Sequence, residues 1–322
     1  METLYRAVEQ PRPETSPSLV RPRRRRSFLS RLLASWKLYL ALLPTLLILG
    51  LLSYYPAING LYHSFFLWQP GYDSPFTGLE NFKAMLSDSV FLQSFGNIVQ
   101  FFLFGITLAW LLPLLAAELV LTLSSKRWQF LFRTLLILSL AFPLVVVYEL
   151  WGFIYDPQVG LLNSFLHALG LGALAQNWLG NPSIALYSLM LLGIPWIAST
   201  PFLIFLAGLQ SIPKEIYDAA AIDGVGWLRR IIFIDVPLLL GQFRLLLVLA
   251  IISFIQLAVP MALLTNGGPA YATMTPALYM INTAFFDGNW GYAAAISTVL
   301  FVITLAFSFI VLRVQRRQAA AV

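Results

Sequence analysis

The sequence predicts an all-α polytopic membrane protein with six transmembrane helices. Three observations point to this class. Hydrophobic residues make up 59% of the 322-residue chain and charged residues only 11%, against roughly 25% charged residues in an average soluble domain. Apolar runs of about 20 residues, the length needed to cross the hydrocarbon core, recur along the sequence. Lysine and arginine collect in alternate segments between these runs.

The segment before the first apolar run, residues 1–35, contains the stretch PRPETSPSLVRPRRRR. Its apolar residues show no helical or strand periodicity. This composition predicts a disordered cytoplasmic N-terminus. The run RPRRRR could bind nucleic acid, but directly before a span we interpret it as a topology anchor that also touches anionic membrane lipid. No nucleic-acid partner is therefore expected. The first apolar run is longer than a signal-peptide core and lacks a small-residue cleavage site, so we expect it to stay attached.

Six apolar segments are long enough to be transmembrane helices. They cover residues 38–60, 91–120, 131–155, 183–209, 243–264 and 290–312. Together they form a predicted membrane domain over residues 36–315, followed by a short cytoplasmic tail, 316–322. Prolines inside the third and fourth segments, at Pro143, Pro195 and Pro201, predict kinks.

The basic residues give the orientation. If the N-terminus is cytoplasmic, the segments on the inside hold 19 of the 20 lysines and arginines, and only Lys83 lies outside. Lysine and arginine near span ends favour the cytoplasmic face. The distribution therefore predicts that both termini are cytoplasmic, and that the segment between the fourth and fifth spans is cytoplasmic too.

Signatures of catalysis are missing from the sequence. It contains no GxxxxGK[ST] phosphate-binding loop, no HExxH and no GxSxG, and no two carboxylates are spaced as a catalytic pair. It has no cysteine, and its two histidines, His63 and His167, fall in predicted loops, so no metal site is expected. The chain is predicted not to be an enzyme.

The cytoplasmic segment at 211–241 contains EIYDAAAIDGVGWLRRIIFIDVPLL, which is too polar for a span. Pro213 suits the first turn of a helix, and Gly224 suits a helix stop. Ile216, Ala219 and Ala220 are predicted to share one face of this helix. A second short helix is predicted to follow. Trp227, Ile231 and Ile234 form its apolar stripe, and Arg229 and Arg230 lie off that stripe. Two interpretations remain open on physical grounds: a helix lying on lipid, or a surface that docks another protein.

The spacing of this segment resembles the EAA loop of binding-protein-dependent ABC sugar transporter permeases of the MalF/UgpA type. That pattern is E-A-A, three residues, G, nine residues, then I-x-L-P. Here it is Asp218-Ala219-Ala220, Gly224 and Ile234-x-Val236-Pro237, with Asp for Glu and Val for Leu. Segments such as LYLALLPTLLILGLLSYYPAINGLYHSF, FTGLENFKAMLSD, LFRTLLIL, YDPQVGLLNSFL and LLTNGGPAYATMTPALYM resemble further family landmarks in the same order. We call residues 211–241 the EAA-like loop.

The resemblance implies an importer permease fold whose EAA helix sits in a groove on an ATPase. The implied partners are a second, homologous permease subunit, two ATPase subunits and an extracytoplasmic solute-binding protein, in a bacterial plasma membrane. ATP and magnesium would be bound by the ATPase subunits and no cofactor by this chain. The residues expected to couple to the ATPase are Glu215, Asp218, Ala219, Ala220, Asp223, Gly224 and Trp227.

The substrate implied is a sugar, and the scarcity of basic residues in the spans favours a neutral one. By resemblance, the fourth and fifth spans carry the substrate path, and the candidate residues there are Trp196, Thr200 and Gln256. Glu149 in the third span is a further candidate, since a carboxylate in a span is costly unless it is paired or wetted. Helix packing and an interfacial position are the alternatives for these residues.

A different class of protein, a self-sufficient secondary transporter or channel for a small polar solute, is the main alternative. Such a protein should show charged relays in its spans or an inverted repeat, and the sequence indicates neither. A membrane scaffold is a weaker alternative, because it would need no spaced EAA segment.

Overall fold

The computed structural model describes residues 36–193 and 198–319. The predicted N-terminal segment 1–35 and the end of the tail lie outside these residues. The described residues up to Pro56 belong to one compact unit and those from Ala57 onwards to a second. In chain order the first helices are α1 Trp36–Leu49, α2 Tyr55–His63, α3 Glu80–Ser87, α4 Ser89–Thr122, α5 Lys126–Leu138, α6 Leu144–Ile154, α7 Leu161–Ala168 and α8 Ala185–Met190. They are followed by α9 Ser199–Ser211, α10 Lys214–Ile222, α11 Trp227–Arg230, α12 Val236–Leu238, α13 Leu240–Ile255, α14 Val259–Leu264, α15 Pro276–Phe285 and α16 Trp290–Ala319.

Four helical stretches are long and apolar enough to cross a membrane. They are Tyr39–His63, Ser89–Thr122, Leu240–Leu264 and Trp290–Val311. Each coincides within a few residues with a predicted span, because a run of about 20 apolar residues satisfies its backbone polar groups in lipid only as a helix. The described residues therefore confirm an all-α chain with at least four helices able to span a membrane.

The third predicted span, 131–155, is bent rather than straight. Helical stretches Lys126–Ala141 and Leu144–Ile154 meet at 91°, and they count as a fifth span only if the bent pair crosses as one. The kink predicted at Pro143 accounts for the bend. Proline lacks an N–H and disfavours a helical conformation in the residue before it, and Phe142 is extended, with φ −86° and ψ 129°.

The fourth predicted span, 183–209, is divided among shorter elements. Helix α8 ends at Met190, α9 begins at Ser199, and residues 194–197 between them lie outside the described part of the chain. Pro195 is among those residues, whereas Pro201 lies in the first turn of α9, where proline is tolerated. A count of six spans remains a prediction.

The main core forms where α4, α9 and the start of α13 meet. Leu114, Ala117, Phe205, Leu209 and Leu239 are among its buried side chains. Close approach of the helices depends on Gly208 of α9, since a Cβ there would lie 2.5 Å from Leu239 Cδ2 and 2.8 Å from Gln242 Nε2. This core directly adjoins the EAA-like loop, because Leu239 follows the loop's last helix.

The start of α4 is fixed by a second set of contacts. Asp88 caps the helix by accepting hydrogen bonds from the backbone N–H groups of Val90 (2.9 Å) and Phe91 (3.1 Å). Its other oxygen accepts hydrogen bonds from the hydroxyls of Tyr279 (2.6 Å) and Tyr292 (2.7 Å). Helices α15 and α16 are thereby joined to the beginning of α4. Burial raises the pKa of Asp88, but the two hydroxyls and the two backbone donors outweigh it, so the pKa is lowered.

Candidate functional site

The first half of the EAA-like loop is helix α10, and its ends follow from the local sequence. Pro213 stands at the N-cap with an extended ψ of 139°, and Glu215 in the first turn faces the positive end of the helix dipole. At the other end, Gly224 has φ +69°. The N–H of Val225 donates to the carbonyl of Ala220 at 3.0 Å, and the N–H of Gly224 donates to that of Ala221 at 3.1 Å. This pair of bonds is a Schellman cap, which confirms the predicted helix stop.

The predicted coupling residues lie mostly on the outside of this loop. Ala220 is buried, with 6% of its surface exposed. The other residues of the set are all exposed: Glu215, Asp218, Ala219, Asp223, Gly224 and Trp227. The predicted apolar face is corrected in one position: Ile216 and Tyr217 are half-buried beside Ala220, but Ala219 faces outward. Helix α10 thus presents one face to its own chain and leaves the opposite face open.

The open face of the loop is partly apolar. Ile222 is 87% exposed, Leu228 61% and Phe233 72%. Trp227 is 41% exposed as well. The loop therefore carries several large exposed apolar side chains in addition to the exposed acidic residues of α10.

The second half of the loop departs from the predicted helix. Helix α11 runs only from Trp227 to Arg230, and a π-helical turn, Ile231–Asp235, connects it to α12. Of the predicted stripe, Ile231 is buried and Ile234 half-buried, while Trp227 is exposed. Arg229 is exposed as predicted. The side chain of Arg230, in contrast, is half-buried, because it points inward towards two buried carboxylates.

Arg230 is the centre of a buried ion cluster with Glu118 of α4 and Asp235 of the π-helical turn. Its Nε donates to Asp235 Oδ2 at 3.0 Å, and its Nη2 forms a short ion pair with Glu118 Oε2. The side chains of Glu118 and Asp235 are 1% and 0% exposed, and that of Arg230 25%. The guanidinium also lies over the ring of Tyr217 in α10, 5.2 Å from its centroid. One arginine therefore touches three separate elements.

The electrostatics of the cluster follow from this burial. Burial alone would lower the pKa of Arg230, but the adjacent Glu118 and Asp235 carboxylates reverse the effect and raise it. The pKa of Tyr217 is raised by burial and by the same two carboxylates. Within the described residues, Glu118 Oε1 and Asp235 Oδ1 are buried without a hydrogen-bond donor.

A cavity of about 300 Å³ borders the cluster between α4, α9 and the loop. Its lining includes Glu118, Gln210, Lys214, Tyr217 and Arg230. The ion cluster beside this cavity holds the loop against the bundle through polar contacts, in addition to the contacts of the apolar core.

The structure says less about the candidate residues of the substrate path. Trp196 lies outside the described residues. Thr200 in α9, Gln256 at the end of α13 and Glu149 in α6 are all exposed. Ser199, beside Thr200, is buried instead: its hydroxyl donates to the carbonyl of Leu136 at 2.7 Å, joining α9 to α5.

Sequence reasoning did not single out Glu118. The signal was available, because Glu118 interrupts the apolar run LLAAELVLT, and an acid at such a position normally pairs with a base. The described residues contain no cluster of three or more histidines, cysteines or carboxylates able to hold a metal ion. His63 and His167, however, lie in the last turns of helices α2 and α7 rather than in loops.

Comparison with known proteins establishes the family to which this helical chain belongs. Residues 109–320 match the model of the family described as the binding-protein-dependent transport system inner membrane component. The chain belongs to this family of ABC transporter permeases, whose members are the membrane subunits of transport systems.

Individual relatives cover most of the chain. It is 34% identical over 290 residues to the sn-glycerol-3-phosphate transport system permease protein UgpA of Yersinia enterocolitica, covering 88% of this chain and 95% of that protein. It is 31% identical over 279 residues to the sulfoquinovosyl glycerol transport system permease protein SmoG of Agrobacterium fabrum, covering 86% and 89%.

A solved structure shows the same fold. The crystal structure of a bacterial alginate ABC transporter, in complex with its alginate pentasaccharide-bound periplasmic protein, contains a chain that superposes with a TM-score of 0.78. The identity is 22%, and the match covers 90% of this chain and 97% of that one.

Proposed function

We propose that this chain is the permease subunit of an ATP-driven importer for a sugar, forming half of a translocation pathway that works by alternating access. The observation that carries the proposal is the EAA-like loop: a capped helix α10, packed on its own bundle by one face and open on the other. A permease that depends on a separate ATPase needs such a rigid, exposed element to receive the movement.

The exposed residues of the loop are proposed to contact the ATPase. Glu215, Asp218, Ala219, Asp223 and Trp227 supply acidic, small and aromatic surface on the open side. Gly224 terminates the helix and lets the partner approach closely. Ala220, which is buried, has a different role in this proposal, because its small side chain seats α10 against its own chain.

The assembly proposed for the active transporter contains this chain, a second homologous permease, two ATPase subunits and an extracytoplasmic solute-binding protein. ATP and magnesium would bind only to the ATPases. Family membership supports this composition, and the alginate transporter was crystallised with its periplasmic protein. The EAA-like loop and both termini are proposed to be cytoplasmic, with the importer in a bacterial plasma membrane. The distribution of lysine and arginine supports this orientation.

The substrate is proposed to be a neutral di- or oligosaccharide. Support comes from this chain's own spans, which carry few basic residues that an anionic substrate would need. Trp196, Thr200 and Gln256 are proposed to line the path, since an aromatic ring and hydrogen-bonding side chains suit sugar hydroxyls, with Glu149 as a further polar group. The relatives do not restrict the choice to neutral sugars, because one of them is named for glycerol-3-phosphate.

The test is uptake by the reconstituted complex. The chain is purified together with the second permease and the ATPase that accompany it, placed in proteoliposomes, and supplied with the binding protein and a panel of neutral and phosphorylated sugars. Uptake that requires both ATP and the binding protein supports the proposal, and the panel identifies the substrate class. Uptake by the chain alone without ATP would instead support a self-sufficient transporter.

A further inference from the structure

The ion cluster of Glu118, Arg230 and Asp235 ties the EAA-like loop to the long helix α4. Glu118 and Arg230 are 112 positions apart in sequence. Arg230 also contacts Tyr217, so the two halves of the loop, α10 and the π-helical turn, meet at the same guanidinium. Arg230 therefore joins both halves of the EAA-like loop to α4.

Burial makes this junction dependent on its geometry. Two carboxylates with almost no exposed surface rely on the guanidinium that they share. Removing one member of a buried ion pair leaves an unpaired charge, which is far more costly than removing the pair together. Arginine suits the position because its planar fork donates in several fixed directions, whereas a lysine ammonium is a point charge.

We propose that Arg230 is a positioning residue that makes the EAA-like loop and the adjoining end of α4 move as one unit. A displacement imposed on α10 then reaches the spans instead of being absorbed within the loop. This inference rests on the proposed function, since it assigns the loop's movement to an ATPase. The inference concerns the contact of Arg230 within its own chain. That contact lies on the opposite face of α10 from the exposed residues proposed to bind the ATPase.

The neighbouring arginine provides a matched control. Arg229 precedes Arg230 in the same short helix but is exposed. Arg229→Lys and Arg230→Lys make the same chemical change one residue apart. Glu118→Gln removes the charge of the buried partner at nearly constant volume, and Glu80→Gln makes that change at an exposed position in α3.

The first readout is a distance that needs no transport. Because the chain has no cysteine, Thr122→Cys and Ala221→Cys place spin labels within this chain only at the end of α4 and on α10, both at exposed positions. The complex without these two substitutions reports any labelling of its partners. In the purified complex, the wild-type background should give one narrow distance distribution by pulsed electron spin resonance. Glu118→Gln and Arg230→Lys should each broaden it or add a second distance, and the two controls should not.

The second readout is sugar molecules transported per ATP hydrolysed. Coupling between sites is commonly worth about 5- to 150-fold in an equilibrium, so we expect Glu118→Gln and Arg230→Lys to lower this ratio at least about five-fold. ATPase co-purification should be unchanged, because the exposed face of α10 is intact. If Glu118→Gln does not accumulate in membranes, Arg230→Lys against Arg229→Lys decides the question by itself.

Two results would overturn the inference: unchanged distance distributions in both cluster variants, or broadened distributions with a wild-type transport ratio. A wild-type complex whose uptake does not depend on ATP would overturn the proposed function instead. In that case the distance measurement, which requires no transport, still decides whether the cluster fixes the loop to α4.

Discussion

Replacing Gly208 by alanine should loosen the junction between α9 and α13. The new Cβ would lie 2.5 Å from Leu239 Cδ2 and 2.8 Å from Gln242 Nε2. Leu239 is fully buried and cannot swing aside, so the helices must separate slightly. Overpacking of this kind lowers the free energy of unfolding by about 1–3 kcal/mol. Replacing a helical glycine by alanine raises it by about 1 kcal/mol. We expect a net loss of about 1 kcal/mol.

A second glycine gives the control for this measurement. Gly241, near the start of α13, is exposed and has no atom within 4 Å of its added Cβ. Gly241→Ala should therefore be neutral or stabilise the protein by up to about 1 kcal/mol. Both free energies of unfolding can be measured in mixed micelles titrated with a denaturing detergent, with tryptophan fluorescence as the signal. Equal stabilisation by the two alanines would refute the close packing inferred at Gly208.

Three further predictions concern other parts of the chain. Gly224→Ala should destabilise by about 1–2 kcal/mol, because its φ of +69° is left-handed, while Gly224→Asn should cost less; detergent unfolding compares them. Asp88→Asn should lower stability at neutral pH by weakening the bonds from Tyr279 and Tyr292. Because the folded pKa of Asp88 is lowered, its stabilisation is present above the ordinary value and lost as pH falls, so thermal melts of wild type and variant should converge below about pH 4. Ser199→Ala should cost about 0.6 kcal/mol, the average for interhelical hydrogen bonds in membranes, and a loss above about 2 kcal/mol would contradict that assignment.

The parts of the fold that the sequence predicts well are those set by local physics. Four spans are visible as apolar runs, and the bend in the third follows from Pro143. The start and stop of α10 follow from Pro213 and Gly224, since each acts on its own backbone. These signals need no knowledge of what the rest of the chain contacts.

The parts that sequence reasoning missed depend on contacts between distant residues. The helical pattern predicts Arg230 off the apolar stripe of its helix, but the side chain is drawn inward by Glu118, which another helix contributes. Ala219 and Ala220 are chemically the same, and only the packing of α10 decides which of them is buried.

The central claim is that the EAA-like loop receives an ATPase. The most direct measurement is a pull-down of the tagged chain from detergent-solubilised membranes, comparing wild type with Gly224→Asp. The control is Gly226→Asp, at an exposed N-cap position with φ −68°, where aspartate is a favoured residue.

An ATPase and a second permease should co-purify with wild type and with Gly226→Asp. The ATPase should be lost from Gly224→Asp while the second permease remains. A wild-type chain that purifies without an ATPase, or a Gly224→Asp variant that retains it fully, would contradict the claim.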